Sequence, residues 1–321
     1  MMYGFAVLCR LKLEPPISIL TTHGGFYLEK TKSGFVAIVG RPNVGKSTLL
    51  NRLVGEKLAG VSPKPQTTRT VIRGILTREE GQIIYLDTPG HHDPHDSLGR
   101  WMIGEIKKSL SSVDLLYFMV LPRDVHPLDK RLLQTIEAAR LPVFLVVNQI
   151  DRFPKPDILP VLEHYHCLHP FKEMIPISAK HGDQVDLLIQ KTFEHLPEGP
   201  LLFDQEQISD QEERLFVGEM IREKLFHLTE EEIPYATSVS VESFKEREDG
   251  LISIQATIAV EKDSQKAIVI GKRGAKLKEI GTASRIEIEA FLGKKVFLEL
   301  WVKTFPHWKK DASALRRLGY K

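Results

Sequence analysis

Gly40-Arg41-Pro42-Asn43-Val44-Gly45-Lys46-Ser47 matches the phosphate-binding pattern GxxxxGK(S/T) at every fixed position. The preceding run, Phe35 to Val39, is short, apolar and rich in β-branched residues. The following segment, Thr48 to Val54, repeats leucine at helical spacing. The sequence therefore predicts a strand, a loop and a helix in the order that this motif requires. A chance Gly/Pro turn is the alternative, and both flanking elements count against it.

This loop has the chemistry of a nucleotide site. Gly40 and Gly45 let the backbone curl so that successive N–H groups point into one hollow, and the N-terminus of the next helix adds positive potential there. Lys46 offers a point charge to terminal phosphates, and Ser47 offers a hydroxyl to Mg²⁺. We therefore expect nucleotide binding at this loop.

Composition narrows the class of protein. The 321 residues are enough for two domains, and 42% hydrophobic with 27% charged residues excludes a largely disordered chain. The formal net charge is only +2, so any affinity for nucleic acid must come from a local basic patch. The two cysteines, Cys9 and Cys167, lie far apart and are expected to be ordinary thiols in a reducing compartment.

The N-terminal segment, residues 1–32, is expected to be a poorly ordered extension. Alternatively, its start codon lies upstream of the one that is used, and the segment is not translated. A signal peptide is the alternative, but Arg10 and Lys12 come after the apolar patch Tyr3 to Leu8 instead of before it. Since no apolar run in the sequence approaches membrane length, we expect a cytoplasmic protein that does not span a membrane.

A polar segment with two prolines, Lys57 to Arg73, follows the first helix and is predicted to be a loop. In nucleotide switches, a loop at this place carries a threonine that reaches Mg²⁺ and the γ-phosphate. Thr67 and Thr68 are both candidates. Taken alone, the segment is more typical of a plain surface loop.

The stretch Asp87-Thr88-Pro89-Gly90 strengthens the switch interpretation, because it follows a predicted buried strand, Gln82 to Leu86. Its Asp would support Mg²⁺ through the water shell, and its Gly N–H would meet the γ-phosphate and lose that contact on hydrolysis. By itself Asp-x-Pro-Gly is a common turn, but its place downstream of a phosphate loop makes it specific. His91 follows at the position from which a side chain can orient attacking water.

Two groups of histidines invite a metal hypothesis. The first comprises His91, His92, Asp93, His95 and Asp96, and the second His164, His166, Cys167 and His169. An exposed switch loop already explains the first group, and the second matches no closed zinc site. We assign a metal to neither.

Alternating elements continue along the chain, with strands at Val113 to Val120 and Leu141 to Val147 and a helix at Leu128 to Arg140. This order predicts a parallel sheet that binds ligands at the carboxyl ends of its strands. Asn148-Gln149-Ile150-Asp151 lies at such an end. A carboxylate accepts from two adjacent donors, which guanine presents and adenine does not, so Asp151 is the candidate base reader. Ser178-Ala179-Lys180 follows a further strand, where backbone N–H groups can meet the guanine carbonyl.

Beyond the boundary Pro197 to Pro200, the pattern predicts a second unit of order α-β-β-α-α-β. Its elements are Gln211 to Phe226, Tyr235 to Phe244, Leu251 to Val260, Ser264 to Ile270, a helix ending at Phe291, and Lys295 to Lys303. Gly271-Lys272-Arg273-Gly274 separates the last two helices and has the GxxG form that clamps single-stranded RNA in KH domains. Lys266, Lys276 and Lys278 complete a local basic patch.

In order and spacing these segments resemble the translation-factor-like P-loop GTPases, and GRPNVGKSTLLN with DTPG is similar to the bacterial Era family. The resemblance extends through IGKRGAKLKEIG, VKTFPHW and LRRLGY, and covers residues 33–321. It implies an α/β P-loop GTPase domain with a mostly parallel, doubly wound sheet, followed by an α+β type II KH domain. The implied boundaries are 1–32 for the extension, 33–200 for the GTPase domain, 201–212 for a linker, and 213–321 for the KH domain with its C-terminal tail.

The resemblance also implies a function. A molecular switch that hydrolyses GTP would bind small-subunit ribosomal RNA near its 3′ end and assist assembly of the small ribosomal subunit. GTP or GDP and Mg²⁺ are the implied cofactors, and relatives activated by potassium suggest K⁺ at Asn43. We expect a monomer, no DNA partner, and a cytoplasmic location that leaves peripheral contact with the inner face of the cell membrane open.

The expected site residues form four groups. Catalytic roles are expected of Lys46, Thr68, Gly90 and His91, and Mg²⁺ contacts of Ser47, Thr68 and Asp87. Nucleotide contacts are expected of Gly40, Arg41, Pro42, Asn43, Val44, Gly45, Lys46, Ser47, Thr48, Asp87, Thr88, Pro89, Gly90, Asn148, Gln149, Asp151, Ser178, Ala179 and Lys180. RNA contacts are expected of Gly271, Lys272, Arg273, Gly274 and Lys276.

Two positions depart from the family pattern. Relatives usually have Asn-Lys-x-Asp, whose lysine stem packs over the base, whereas this chain has Gln149. We expect a weaker nucleotide affinity, with base choice retained by Asp151. Relatives also tend to have an apolar residue where this chain has His91, which leaves the positioning of water open.

Two other classes of function compete with the switch. Gln149 favours a constitutive single-stranded RNA-binding protein whose nucleotide site is structural. The intact Lys46, Ser47, Asp87 and Asp151 count against that class. A P-loop kinase or ATPase would leave Asp151 and the placement of DTPG unexplained.

Overall fold

The larger of two sheets has six strands in the computed structural model, which describes residues 31–94, 96–123 and 125–320. These strands are β1 (Lys32–Gly40), β2 (Ile72–Arg78), β3 (Gly81–Asp87), β4 (Leu115–Val120), β5 (Val143–Asn148) and β6 (Glu173–Ile177). Their order is β2-β3-β1-β4-β5-β6, and every neighbouring pair is parallel except β2 with β3. The mostly parallel α/β sheet predicted from the sequence is confirmed.

Helices cover both faces of this large sheet. They are α1 (Lys46–Val54), α2 (Ser97–Leu110), α3 (Pro127–Ala139), α4 (Lys155–His166) and α5 (Val185–His195). Alternate side chains of β1 enter opposite cores, since Val36 and Ile38 pack with α1 and α5 while Ala37 and Val39 pack with α2, α3 and α4. The sheet is therefore buried on both sides, which explains its continuous apolar strands.

The parallel strands end at one edge of the large sheet. β1 ends at Gly40, β3 at Asp87, β5 at Asn148 and β6 at Ile177. Each of these residues begins or directly precedes one of the sequence motifs described above. The topology therefore brings the four motifs to the same side of the molecule.

The smaller sheet has three strands, β7 (Ser238–Glu246), β8 (Ile252–Val260) and β9 (Val296–Thr304). β7 and β8 are antiparallel, and β8 and β9 are parallel. The helices of this part are α6 (Glu213–Leu228), α7 (Ile233–Ala236), α8 (Asp263–Ile270), α9 (Ala275–Leu292) and α10 (Ala312–Arg317). Apolar side chains of β8, such as Ile254 and Ile258, lie in cores shared with α6 and α9.

Two predicted boundaries in these elements were wrong. Tyr235 does not begin a strand, because it lies in the short helix α7, where Pro234 occupies an early helical position that suits its fixed φ. The first predicted loop extends only to Val71, since Ile72 and Arg73 already pair with β3.

Residues 201–212 were predicted to be a linker, and the last part of this segment, residues 208–211, lies along the outer edge of β2. Ile75 N donates to Ile208 O at 2.8 Å, and Arg73 N donates to the side chain of Gln211 at 2.7 Å. The segment thus satisfies backbone donors that an edge strand would otherwise leave open.

Within the described ranges, no helix combines the length and the apolar character needed to cross a lipid bilayer.

Candidate functional site

The phosphate loop connects β1 to α1. Gly45 has φ 98°, in the left-handed region, and a Cβ there would lie 2.2 Å from Asn148 Nδ2, so only glycine fits. Lys46 is buried, and its Nζ donates to Gly40 O at 3.3 Å and to Arg41 O at 3.1 Å. The ammonium group is therefore held against the loop that would surround a phosphate.

Three side-chain oxygens from three elements meet beside the loop. Ser47 Oγ donates to Asp87 Oδ2 at 2.6 Å and lies 2.7 Å from Thr68 Oγ1. Asp87 is fully buried, and its other oxygen, Oδ1, has no hydrogen-bond partner among the described residues. A buried carboxylate oxygen with no donor, next to two hydroxyls, fits a hard divalent cation such as Mg²⁺.

The two buried charges of the site are incompletely compensated. Burial lowers the pKa of Lys46 to about 8, although the nearby Asp87 carboxylate opposes this. Burial also raises the pKa of Asp87 to about 6, against the effects of Lys46 and of hydrogen bonds from Ser47 and Thr68. A phosphate beside Lys46 and a cation beside Asp87 would each supply the missing opposite charge.

The segment between α1 and β2, residues 55–71, is called the α1–β2 loop below. Of its two candidate threonines, Thr67 donates its hydroxyl to Lys64 O at 2.8 Å, whereas Thr68 faces Ser47. Asn43 Nδ2 donates to Pro63 O at 2.7 Å, which ties this loop to the phosphate loop. The cavity between the two loops is lined by Pro42, Asn43, Gly45, Lys46, Ser47, Thr48, Gly60, Val61, Ser62, Gln66, Thr67, Thr68 and Gly90.

The DTPG stretch is fastened to the end of β1. Thr88 donates its hydroxyl to Ile38 O at 2.8 Å, and His91 N donates to Gly40 O at 3.0 Å. Gly90 is so close to the phosphate loop that a Cβ on it would lie 2.8 Å from Pro42 N. Burial, followed by the neighbouring His92, lowers the pKa of His91, so its ring is neutral at pH 7.

Direct hydrogen bonds join the two motifs that were expected to contact the base. Asn148 Nδ2 donates to Val44 O at 2.8 Å, and its Oδ1 accepts from Ala179 N at 2.9 Å. Ser178 Oγ donates to Asp151 Oδ1 at 2.7 Å. Asn148 therefore links the phosphate loop with the SAK stretch, and Ser178 fixes the carboxylate of Asp151.

The electrostatics at Asp151 favour its ionised form. Partial desolvation would raise the pKa of this carboxyl group, but the Ser178 hydrogen bond and the nearby His181 and Arg152 lower it overall. An ionised carboxylate has acceptor oxygens only, and these suit two neighbouring N–H donors on a base.

Arg52 of α1 is a site residue that the sequence interpretation missed. Its guanidinium donates to Ala179 O at 3.2 Å and also to Lys180 O. Arg41, in contrast, is turned away from the loop and donates to the buried carboxylate of Asp129 in α3 at 2.8 Å. A single sequence gives no signal for either pairing.

Arg69, also missed, leaves the α1–β2 loop and enters the other half of the molecule. It is fully buried. Its Nη1 donates to Thr237 O at 2.6 Å and to Tyr320 Oη at 3.4 Å, and its Nη2 donates to Pro234 O and Tyr235 O at 3.3 and 3.2 Å. The guanidinium also lies 5.8 Å from the ring of Trp308. Thr68 is thus next in sequence to a residue anchored beneath the small sheet.

Further contacts hold the α1–β2 loop against α6. Lys64 Nζ donates to Phe226 O at 2.6 Å, and Lys57 pairs with the buried Glu223 at 2.8 Å. On the far side of the same interface, Leu98 and Met102 of α2 share a core with Trp308 and Tyr320. Both segments that flank the candidate Mg²⁺ ligands therefore contact the C-terminal half.

The GxxG turn lies between α8 and α9 and is exposed at its centre. Gly271 has φ 71°, and a Cβ there would lie 2.7 Å from the side chain of Lys276, so the close turn requires glycine. Lys272 and Arg273 project into solvent. Lys276 is partly engaged, since its Nζ donates to Glu279 at 2.8 Å.

The two helices that this turn connects each carry an exposed apolar side chain. Ile268 of α8 is 51% exposed and Ile286 of α9 is 62% exposed.

Two family patterns match the chain. Residues 35–149 match the family described as 50S ribosome-binding GTPase, and residues 232–308 match the KH domain family.

Curated relatives match nearly the whole length. The GTPase Era of Ruminiclostridium cellulolyticum is 47% identical over 292 residues, which cover 90% of this chain and 98% of the relative. The GTPase Era of Geobacter sp. strain M21 is 50% identical over 296 residues, covering 91% and 99%.

Solved structures match to the same extent. One is a point variant of Aquifex aeolicus Era bound to GDP·AlF4⁻, with a TM-score of 0.87 and 41% identity over 90% of this chain and 99% of that chain. Another is Era in complex with MgGDPNP and nucleotides 1506–1542 of 16S ribosomal RNA, with the same TM-score, identity and coverage.

Proposed function

The chain belongs to the Era family of GTPases, and from this premise we propose that it is a GTP-dependent switch acting on small-subunit ribosomal RNA. The observation that carries the proposal is the cluster of Ser47, Thr68 and Asp87 beside the phosphate loop. Asp151, the proposed base reader, lies just after β5, where Ser178 holds its carboxylate. Relatives that bind GDP·AlF4⁻ or MgGDPNP support both GTP and Mg²⁺ as ligands.

In the proposed hydrolysis, the phosphate loop surrounds the β- and γ-phosphates with N–H groups, and Lys46 places its charge against them. Ser47, Thr68 and Asp87 would hold Mg²⁺, which when bound neutralises charge on the phosphate oxygens. Gly90 would donate its N–H to the γ-phosphate. Loss of the γ-phosphate removes the partner of both Thr68 and Gly90 and so releases the two segments that contact the C-terminal half.

Unassisted turnover is expected to be slow. The arginine of the phosphate loop and the arginine next to Thr68 both have other partners, because Arg41 pairs with Asp129 and Arg69 is buried against the C-terminal half. An arginine that stabilises the transition state accelerates P-loop GTPases by about 10³–10⁵-fold. We propose that K⁺ bound at Asn43 partly replaces such an arginine. The side-chain amide N–H of Asn43 donates to Pro63 O, and its oxygen, Oδ1, would coordinate the cation.

We therefore expect GTP hydrolysis to be about tenfold faster in KCl than in NaCl at equal ionic strength, which corresponds to about 1.4 kcal/mol of transition-state stabilisation. Phosphate release under multiple turnover measures the two rates. Asn43→Ala should bring the ratio of the rates in the two salts close to one, whatever its rate in NaCl. Equal rates of the parent protein in the two salts would remove K⁺ from the mechanism.

For the C-terminal half, we propose that the GKRG turn clamps the backbone of a single-stranded segment near the 3′ end of small-subunit ribosomal RNA. A relative in complex with nucleotides 1506–1542 of 16S ribosomal RNA supports this target. Lys272 and Arg273 would meet phosphates, and bases would lie along α8 and α9, past Ile268 and Ile286.

We also propose domain limits of 33–200 and 213–321 and a monomeric state.

Replacing both Lys272 and Arg273 by Asp should weaken binding of all single-stranded RNAs together. Two lost phosphate contacts reduce the slope of log K against log salt by roughly 0.7 each. Fluorescence anisotropy with a 3′-terminal small-subunit oligonucleotide and a scrambled one, over a salt series, measures both effects.

Lys294 and Lys295, both exposed beyond the other end of α9, provide the matched control when changed to Asp. This control variant has the same net charge as the GKRG variant and should bind both RNAs as tightly as the parent protein. If the GKRG variant binds the 3′-terminal RNA as tightly as the parent at matched salt, then the turn is structural only.

A nucleotide-binding comparison tests the switch against the competing class. GTP and GDP should displace a fluorescent guanine nucleotide, ATP should not, and bound RNA should change the rate of GTP hydrolysis. A constitutive RNA-binding protein with a structural site would give RNA affinity independent of nucleotide and no phosphate release. That result would overturn the proposal.

A further inference from the structure

Gln149 contacts both the phosphate loop and the base-recognition segment. Its Nε2 donates to Asn43 O at 3.2 Å, and its Oε1 accepts from Arg152 Nη1 at 3.3 Å. Its backbone has φ 67°, in the left-handed region that non-glycine residues seldom adopt. The residue is half-buried, so both polar ends of the side chain are used in a defined position.

The acceptor of this bond belongs to a residue with two further constraints. Asn43 also has a left-handed backbone, with φ 63°, and its side chain donates to Pro63 O of the α1–β2 loop. The next carbonyl, Val44 O, accepts from Asn148. Two successive carbonyls of the phosphate loop are thus held by two successive residues at the end of β5.

We infer that Gln149 is a positioning residue for Asn43, linking the base-recognition segment through the phosphate loop to the α1–β2 loop. This inference rests on the proposed GTPase function and concerns how tightly that site holds its nucleotide. Gln149 fixes the Asn43 peptide, and Asn43 in turn fixes Pro63 and presents Oδ1 to the cation. Loss of the bond loosens the nucleotide and the cation together, while Asp151 continues to choose the base.

The chemistry of glutamine suits this position. A glutamine amide donates at one end and accepts at the other, as the two bonds require. A lysine keeps the donor for Asn43 O but has no acceptor, and it places a second cation beside Arg152. A glutamate has the same shape, keeps the acceptor for Arg152, and has no donor for Asn43 O.

These differences define a graded series of variants. Gln149→Glu should accelerate release of a fluorescent GDP by about tenfold, because it removes one hydrogen bond and sets two acceptors against each other. The same variant should need about tenfold more K⁺ for half-maximal GTPase activity. Gln149→Lys should release GDP no faster than the parent and need no more K⁺, since it keeps the donor to Asn43 O.

The controls use the full chain. Gln184→Glu adds the same charge on an exposed glutamine with a left-handed backbone, φ 60°, and should release GDP like the parent. Competition by inosine and xanthine nucleotides should give the parental order of preference in every Gln149 variant.

The outcomes separate this inference from the proposed function. If the parent fails to bind guanine nucleotides, the proposed function fails. If the parent binds GDP but Gln149→Glu and Gln149→Lys release it equally fast, at any common rate, then the donor to Asn43 O has no positioning role and the inference is overturned. Slow release from Gln149→Lys with fast release from Gln149→Glu supports it.

Discussion

Asp151→Asn should shift nucleotide preference from guanine toward xanthine, with at least about a hundredfold loss of GTP affinity and a comparable gain for XTP. In the proposed site, the carboxylate of Asp151 would accept from two adjacent donors on guanine. An amide turns one acceptor into a donor, which matches the additional carbonyl of xanthine. Since Ser178 holds Oδ1 of the carboxylate at 2.7 Å, the replacement side chain has little freedom to turn away.

Competition of GTP, XTP and ATP against a fluorescent guanine nucleotide measures this exchange. Asp157→Asn, on the first turn of α4, removes an exposed carboxylate near the same segment and serves as the control. Asp151 is not the base reader if its Asn variant still prefers GTP to XTP.

Arg69→Met should lower the free energy of unfolding by about 3 kcal/mol. Methionine approximately retains the volume of the stem but leaves the buried carbonyls of Pro234, Tyr235 and Thr237 without their charged donor. The rate of GTP hydrolysis should fall as well, because Arg69 holds the backbone next to Thr68 in place.

Urea unfolding followed by tryptophan fluorescence measures the loss, and phosphate release measures the second effect. The matched control is Arg78→Met on β2, where the arginine is 39% exposed and pairs with the exposed Asp186 at 2.9 Å. Such a surface pair contributes at most about 1 kcal/mol. A loss for Arg69→Met no larger than for the control would contradict an anchoring role.

The sequence predicted those parts of the fold that depend on local patterns. Phe35 to Val39 and Ile83 to Leu86 are continuous apolar runs because both faces of their strands are covered, and the motifs that follow them mark the strand ends. The parallel topology then places the motifs together without further information. The GxxG turn was equally local, since two helices and their intervening glycines are adjacent in sequence.

The remainder depended on contacts between distant segments. The edge strand β2 contains Gly74 and ends in Arg78, so it has no continuous apolar run by which the sequence could predict it. Its outer edge is covered by residues 208–211, which are distant in sequence. Arg52 and Arg69 are ordinary basic residues in the sequence, and only the folded chain supplies the carbonyls that hold them. Their roles therefore follow from the tertiary structure alone.

The anchoring of Arg69 also has a consequence for the order in which the protein matures during synthesis. Its carbonyl acceptors lie 165 to 168 residues further along the chain, and its tyrosine partner lies 251 residues further. The large sheet is complete much earlier, at β6, and domains generally fold as they emerge. A nascent chain paused before α6, at residue 212, therefore has the phosphate loop and Asp151, but its α1–β2 loop lacks both the carbonyls that accept from Arg69 and the α6 partners of Lys57 and Lys64. We expect such an intermediate to bind GDP and to hydrolyse GTP poorly until the C-terminal half arrives.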